Sequence, residues 1–210
     1  MQKKSYHSRE EKFNVLSHLL GVILSLVGTV YLVSLSQSTA HLVSYLIYGV
    51  SGFILYLMST LYHNAKKERV RKILKICDHS AIYVFIAGCY TPFLVLNIAS
   101  KEAYILLACV WFLTFVGIIF KVFFTGRFQK ISTLVYLLMG WLVVTQGNSL
   151  LEFLTFETLL WLVLGGFCYS FGAFFYLWHR FPFNHGVWHV FVILGSVSHY
   201  IALLAGFSIV

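Results

Sequence analysis

The sequence predicts an all-α membrane protein with seven transmembrane helices, an N-terminus in the cytoplasm and an extracellular C-terminus. Of its 210 residues, 60% are hydrophobic and only 10% are charged, which is more apolar surface than a soluble domain of this size could bury. Seven apolar stretches each approach the ~20 residues that a helix needs to cross a bilayer. The stretches are continuous rather than alternating, which favours helices over the strands of a barrel.

The predicted spans follow one another with short connections. The first twelve residues are too polar for a signal peptide, so we expect the first apolar segment to remain as a membrane anchor. The organisation predicted is a cytoplasmic segment over residues 1–12 and a single seven-helix domain over residues 13–210. The spans are Phe13–Leu35, His41–His63, Asp78–Ala99, Ala103–Phe124, Ile131–Leu150, Phe156–His179 and Gly186–Val210.

The distribution of basic residues sets the predicted orientation. With the N-terminus inside, Lys101 is the only one of the 15 Lys and Arg residues that falls in an outside segment. The outside loops instead carry Glu102, Glu152 and Glu157. The net charge of +8 therefore follows from membrane topology and does not indicate nucleic-acid binding.

Three segments carry further local predictions. The longest inside loop, Asn64–Cys77, is either a short helix on the anionic inner leaflet or a solvated basic loop. The pair Thr91-Pro92 predicts a kink in the third span. Gly165, Gly166 and Gly172 predict close helix approach in the sixth span.

Polar and ionisable side chains within the spans gather at one depth. Such residues are costly in the hydrocarbon core, so each is a candidate for a functional role. Because successive spans run in opposite directions, the inner ends of the first, second, third and seventh spans meet at the cytoplasmic face. The residues at these ends are Asn14, His18, His63, Asp78, His79, His185 and His189.

The spacing of these residues indicates a metal site. His185 and His189 lie one helical turn apart on one face, a common geometry for two ligands of one metal. With His63 they make three imidazoles and an open fourth position, the arrangement of a catalytic zinc site. Asp78 could take a proton from the bound water, and Ser59, one turn before His63, could orient that water or stabilise an oxyanion.

Simpler explanations fit the same residues. A histidine pair in a membrane helix can form interhelical hydrogen bonds without binding a metal. His18 and Asn14 lie on one face of the first span. We expect them either to contact the metal ligands without binding the metal themselves or to pack between helices. His199 lies deeper in the seventh span and needs no role beyond a buried hydrogen bond.

Four motifs carry a resemblance to a known family. They are Glu11-x-x-Asn14-x-x-x-His18, Ser59-x-x-x-His63, Asp78-His79-Ser80-Ala81 and Asn184-His185-x-x-x-His189. With these motifs, in this order and spacing, nearly the whole chain resembles the hemolysin III family, the bacterial branch of the progestin and adipoQ receptor (PAQR) superfamily. That group in turn is similar to the alkaline ceramidases, within a wider set of membrane hydrolases.

The resemblance implies a seven-helix fold with a cytoplasmic N-terminus. It implies Zn²⁺ held by His63, His185 and His189, with Asp78 interacting through a water and Ser59 near the metal. The receptors of the superfamily carry long cytoplasmic N-terminal regions, whereas only about a dozen residues precede the first span here. This departure favours the bacterial branch over a protein-hormone receptor.

Three functions remain open from the sequence. The first is a zinc-dependent hydrolase of a lipid amide or ester near the inner leaflet. The second is a non-catalytic zinc-containing protein that senses or regulates membrane lipid state, in keeping with the lipid-homeostasis link of the resembled branch. The third and least favoured is a pore-forming haemolysin, because no ring of charges indicates a conduit. All three place the chain in the plasma membrane as a multi-pass protein, with membrane lipids, a lipid amide or a fatty acid as its partners.

Overall fold

The computed structural model describes residues 2–207, with side chains described for residues 9–206. This part of the chain contains helices and their connections, with no strand. A π-helical turn, Phe93–Ile98, extends the third helix, and a 3-10 turn, Leu142–Gln146, extends the fifth. The helices are α1 (Gln2–Ser34), α2 (Thr39–Asn64), α3 (Glu68–Pro92), α4 (Lys101–Phe124), α5 (Gln129–Trp141), α6 (Asn148–Phe153), α7 (Phe156–Leu177) and α8 (Asn184–Phe207).

Six of these described helices are long and apolar enough to cross a membrane. They correspond to the first four and the last two predicted spans. Met1 and residues 208–210 of the last predicted span lie outside the described residues. The membrane-crossing stretches are Arg9–Ser34, Thr39–Asn64, Glu68–Ile98, Lys101–Phe124, Phe156–Leu177 and Asn184–Gly206.

The fifth predicted span, Ile131–Leu150, is not one continuous α-helix. Its α-helical part ends at Trp141, and α6 begins only after Gly147. Gly147 has a φ of +49°, a conformation that favours glycine over other residues. Neither piece alone has the length of a membrane-crossing helix.

The hydroxyl of Tyr90 on α3 satisfies backbone groups at this break. It donates to the carbonyl oxygens of Met139 and Gly140, each at 2.8 Å, and accepts the N–H of Val143 at 2.8 Å. Backbone groups that leave the α-helical pattern need such partners when no water is present. Leu142, Val143 and Val144 keep the chain apolar just after α5 ends, and hydropathy therefore did not reveal this change of helical pattern.

The central helix of the fold is α3, which contributes to two apolar clusters. Ala81, Phe85 and Cys89 pack with α2 and α8 in the first cluster. Ala87 and Leu94 belong to the second cluster, with α4 and α5. The inner part of the bundle is therefore organised around α3, while α1 packs against α2 and α8 on one side.

The basic stretch after α2 begins α3 and is not a separate element. Helix α3 starts at Glu68, which pairs with Lys72 one turn later at 2.8 Å. The helix predicted within Asn64–Cys77 is present from Glu68 onward, but it is continuous with the third span, and the alternative of a solvated loop is wrong for most of this stretch. At the other end, the helical bonding changes from α to π immediately after Pro92, where a kink was predicted.

Two of the three glycines of α7 permit its close approach to α8. A Cβ at Gly165 would overlap the ring of His199, with Nε2 at 2.6 Å. A Cβ at Gly172 would lie 2.8 Å from Cβ of Phe191. At Gly166 the nearest neighbour is instead Trp141, at 3.1 Å. The predicted role of these glycines is confirmed for the α7–α8 contact.

Candidate metal centre and cavity

Three histidines from two distant segments of the chain meet at one end of the bundle. His63 lies at the end of α2, and His185 and His189 lie on the first two turns of α8. The ring centroids of His63 are 4.8 Å from His185 and 5.0 Å from His189, and the latter two are 4.8 Å apart. One ring nitrogen from each lies within 4.8 Å of the others, so these three residues could hold a metal ion.

The ring of His63 is oriented by an acidic side chain from α1. Its Nδ1 lies 2.6 Å from Oε2 of Glu11, with the amide nitrogen of Asn14 at 3.5 Å. An ionised carboxylate can only accept, so Nδ1 carries the proton and Nε2 is the nitrogen available to a ligand. Nε2 is buried and has no hydrogen-bond partner among the described residues. A buried imidazole nitrogen in this state fits a metal ligand.

The ring of His189 is oriented in a similar way by the backbone of α1. Its Nδ1 lies 3.3 Å from the carbonyl oxygen of Asn14 and 3.2 Å from Oγ of Ser17. Because a carbonyl only accepts, Nδ1 again carries the proton and leaves Nε2 for a ligand. His18 stacks on the ring of His189, with centroids 3.5 Å apart and an interplanar angle of 8°. Asn14 and His18 thus both contact the histidine cluster, where the sequence predicted supporting residues.

An ion pair closes the α1 side of the site. Arg71 of α3 bonds Oε1 of Glu11, and its guanidinium lies 4.7 Å from the ring centroid of Tyr62 on α2. Glu11 therefore joins α1 to both α2 and α3. Glu11 was predicted only as part of a motif, and no role at the site was predicted for Glu11, Ser17 or Arg71. The spacing of Glu11 and Asn14 on one helical face was the signal that could have indicated this contact.

Asp78 and Ser59 face the same space as the histidines. Both are buried, and the Ser59 hydroxyl lies within hydrogen-bonding reach of the Asp78 carboxyl. His79 also lines the cavity, with Nδ1 2.7 Å from the carbonyl oxygen of Lys75 and 3.9 Å from the Asp78 carboxylate. The acid and hydroxyl named from the sequence are thus neighbours of each other and of His63.

The cluster lies at one end of a cavity of about 540 Å³. The cavity continues along α3 as far as Ile98, and His199 lines it at depth, with Nε2 3.3 Å from the carbonyl oxygen of Leu162. Its polar end is lined by site residues, and the rest is mostly apolar. The apolar lining includes Phe93, Leu94, Leu159, Leu162, Val163 and Val192.

The fold and these contacts define a polytopic helical membrane protein with a candidate three-histidine metal centre at one end of its cavity. A family model described as haemolysin-III related matches residues 6–200. The chain is 43% identical over 207 residues to Hemolysin-3 of Bacillus cereus, covering 97% of this chain and 94% of that protein. It therefore belongs to the haemolysin III-related family.

Two further relatives extend this comparison. The Hemolysin-3 homolog of Bacillus subtilis (strain 168) is 43% identical over 199 residues, which are 93% of each chain. The monocyte to macrophage differentiation factor of Homo sapiens is 29% identical over 203 residues, 92% of this chain and 83% of that protein. The predicted family and the multi-pass membrane location are confirmed, and the human relative is consistent with the predicted place in the PAQR superfamily.

Proposed function

We propose that the protein is a zinc-dependent hydrolase that cleaves a lipid amide or ester near the inner leaflet. One observation carries this proposal: three imidazoles converge with Asp78 and Ser59 at the polar end of an apolar cavity. A cavity of about 540 Å³ can hold a lipid chain, and the polar end is where a carbonyl would meet the site.

His63, His185 and His189 would hold the metal, and their imidazoles without thiolates favour zinc. Zinc in such a site polarises a carbonyl and lowers the pKa of a bound water. Glu11 and the Asn14 carbonyl fix the protonated nitrogens of His63 and His189, which keeps the opposite nitrogens available. The apolar cavity excludes bulk water from the reacting carbonyl.

Asp78 is the general base in this proposal. Its carboxylate accepts a proton from the attacking water, whose oxygen bonds to the carbonyl carbon. The same carboxyl returns the proton to the leaving nitrogen or oxygen as the amide or ester bond breaks. The position of Ser59 beside Asp78 favours a role in orienting this carboxylate and its water over a role at the oxyanion.

The test combines elemental analysis with a turnover assay. Detergent-purified protein is incubated with liposomes that contain a panel of N-acyl and O-acyl lipids, and released fatty acid is measured by mass spectrometry. We expect about one zinc per chain in the wild type and in Asp78→Asn. Turnover should fall by about 10²- to 10⁴-fold in Asp78→Asn, as expected for loss of a general base. Zinc that stays bound while no lipid of the panel is cleaved by the wild type would exclude the hydrolase.

A second candidate function is a non-catalytic metal tether in a lipid sensor or regulator. The observation that favours it is that the candidate ligands belong to α2 and α8, so a metal would join two helices that are distant in the chain. A chelator should then lower the melting temperature of the wild type, because a metal that binds only the folded state stabilises it. His185→Ala, which lacks one candidate ligand, should have the same melting temperature with and without chelator. Equal wild-type melting temperatures in both conditions would argue against the tether.

The seven-span topology with a cytoplasmic N-terminus is also a proposal. The residues from Gln129 to Gln146 comprise 13 α-helical and five 3-10 residues, which rise about 30 Å, the thickness of the hydrocarbon core. The Tyr136 hydroxyl, near the middle of this segment, donates to the His79 carbonyl at 2.9 Å, and α6, which follows the segment, contacts the turn Phe93–Ile98. The segment thus follows α3 over the same depth.

Labelling of introduced cysteines tests this topology. In a chain whose four native cysteines are replaced, an impermeant maleimide should label Ser149→Cys in intact cells but Lys130→Cys only after permeabilisation. A six-span arrangement would leave residues 130 and 149 on one side, and both variants would then label alike.

A further inference from the structure

Lys121 is a buried cation without an acidic partner in the described part of the chain. It lies one turn before the end of α4, and its side chain is only 2% exposed. A lysine near a helix end normally extends its ammonium group into water, and a buried ammonium is costly unless something offsets it. The partner observed is the ring of Tyr136, whose centroid lies 5.4 Å from Nζ. None of the ion pairs between described side chains includes Lys121.

Two more cations approach the same place. Lys75 extends from α3 to the α4–α5 connection, where its Nζ lies 3.5 Å from the position that a Cβ on Gly126 would occupy. Lys75 is close enough to Lys121 to repel it electrostatically, and Arg127 follows Gly126 directly. All three cations line the cavity that contains the histidine cluster. Asp78 lies within electrostatic range of Lys75. Among the described side chains, no ion pair includes Lys75, Lys121 or Arg127.

We propose that Lys121, Lys75 and Arg127 bind the phosphate of an anionic phospholipid whose hydrocarbon chain occupies the apolar part of the cavity. A phosphate accepts charge-assisted hydrogen bonds from several cations at once and would offset their mutual repulsion. His79 lies within electrostatic range of both Lys121 and His185, so the phosphate would be close to the histidine cluster. This inference rests on the proposed function because it assigns a substrate class to the same cavity.

The test uses a lipid that cannot be hydrolysed. Ether-linked dialkyl phosphatidic acid is titrated into the full-length protein in detergent, and binding is measured by native mass spectrometry. Dialkylglycerol, which lacks the phosphate, and inorganic phosphate, which lacks the chains, are titrated in parallel. We expect the phosphatidic acid to bind the wild type at least about tenfold more tightly than dialkylglycerol or inorganic phosphate does, because it alone contacts both the cations and the apolar part of the cavity.

The variants separate charge from packing. Lys121→Met should weaken binding of the phosphatidic acid about tenfold or more, whereas Lys121→Arg should stay within about threefold of the wild type. Lys130→Met is the matched control, because Lys130 is exposed on the next helix and does not line the cavity. If Lys121→Met does not fold, Arg127→Gln at the exposed mouth should show the same loss of phosphatidic acid binding.

Three outcomes would overturn the proposal. The first is that the wild type and Lys121→Met bind phosphatidic acid with equal affinity. The second is that the wild type binds dialkylglycerol as tightly as it binds phosphatidic acid. The third is inorganic phosphate binding as tightly as the lipid, which would assign the cations to free phosphate. Because an ether lipid cannot be cleaved, none of these results depends on hydrolase activity. Conversely, an inactive protein that binds phosphatidic acid would exclude only the hydrolase.

Discussion

Oε2 of Glu11 lies 2.6 Å from Nδ1 of His63, so the carboxylate orients the imidazole from the side opposite its unpaired Nε2. Carboxylates in this position fix the tautomer of a metal-binding histidine and raise its basicity. The same carboxylate bonds Arg71, which holds it in place between α1 and α3. Glu11 is therefore expected to matter for metal affinity although it is not a ligand.

The first prediction is that Glu11→Gln weakens zinc binding by about 10- to 100-fold, the usual cost of removing such an outer carboxylate. Competition against a chromophoric chelator measures the affinity. Glu68→Gln is the control, because Glu68 is exposed and pairs only with Lys72 among the described contacts. Wild-type affinity in Glu11→Gln would show that the carboxylate serves helix packing alone.

The second prediction concerns the three histidines as a set. His63→Ala, His185→Ala and His189→Ala should each reduce the metal content of purified protein from about one ion per chain to a tenth or less, because three ligands are the usual minimum for such a site. His179→Ala is the control at the same end of the bundle, since His179 is exposed and outside the cluster. Full metal content in any one of the three variants would remove that histidine from the ligand set.

Most of the fold was predictable because the spans of a membrane protein are long apolar runs bounded by charge. The end of the α-helical pattern at Trp141 was not, since it depends on the Tyr90 hydroxyl, a contact between residues far apart in the chain. The site was partly predictable for a related reason. The position of a residue within its predicted span gives its depth in the membrane. This depth predicted that His63, His185 and His189 lie close together.

Contacts across helices followed less readily from the sequence. Glu11 and Ser17 lie on α1 at the correct depth, but their bonds to His63 and His189 depend on the rotation of α1 about its axis. Lys121 was counted as a topology signal because a lysine near a helix end usually reaches the interface. Its inward direction depends on the packing of α4 against α3, which hydropathy does not show.

The third prediction is that Tyr90→Phe destabilises the protein by roughly 1–3 kcal/mol, because removal of one hydroxyl leaves backbone groups at the α5 break without a partner. The free energy of unfolding is measured by titration with SDS in mixed micelles. Tyr104→Phe is the control, since Tyr104 is 48% exposed on α4. A loss of stability as small as that of Tyr104→Phe would mean that the break does not depend on the hydroxyl.

The fourth prediction tests the α7–α8 contact that positions His185 and His189. In Gly165→Ala the new methyl group overlaps His199 and lies 3.1 Å from the carbonyl oxygen of Gly195, so α7 and α8 must separate or His199 must move. Overpacking of this kind costs about 1–3 kcal/mol, and we expect that loss in the same SDS titration. Gly140→Ala is a matched control, because a Cβ there has nothing within 4 Å.

Since the separation would displace α8, zinc affinity should fall in Gly165→Ala and stay unchanged in Gly140→Ala. Loss of stability with unchanged zinc affinity would show that the histidine cluster is held by α1 and α2 independently of the α7–α8 contact.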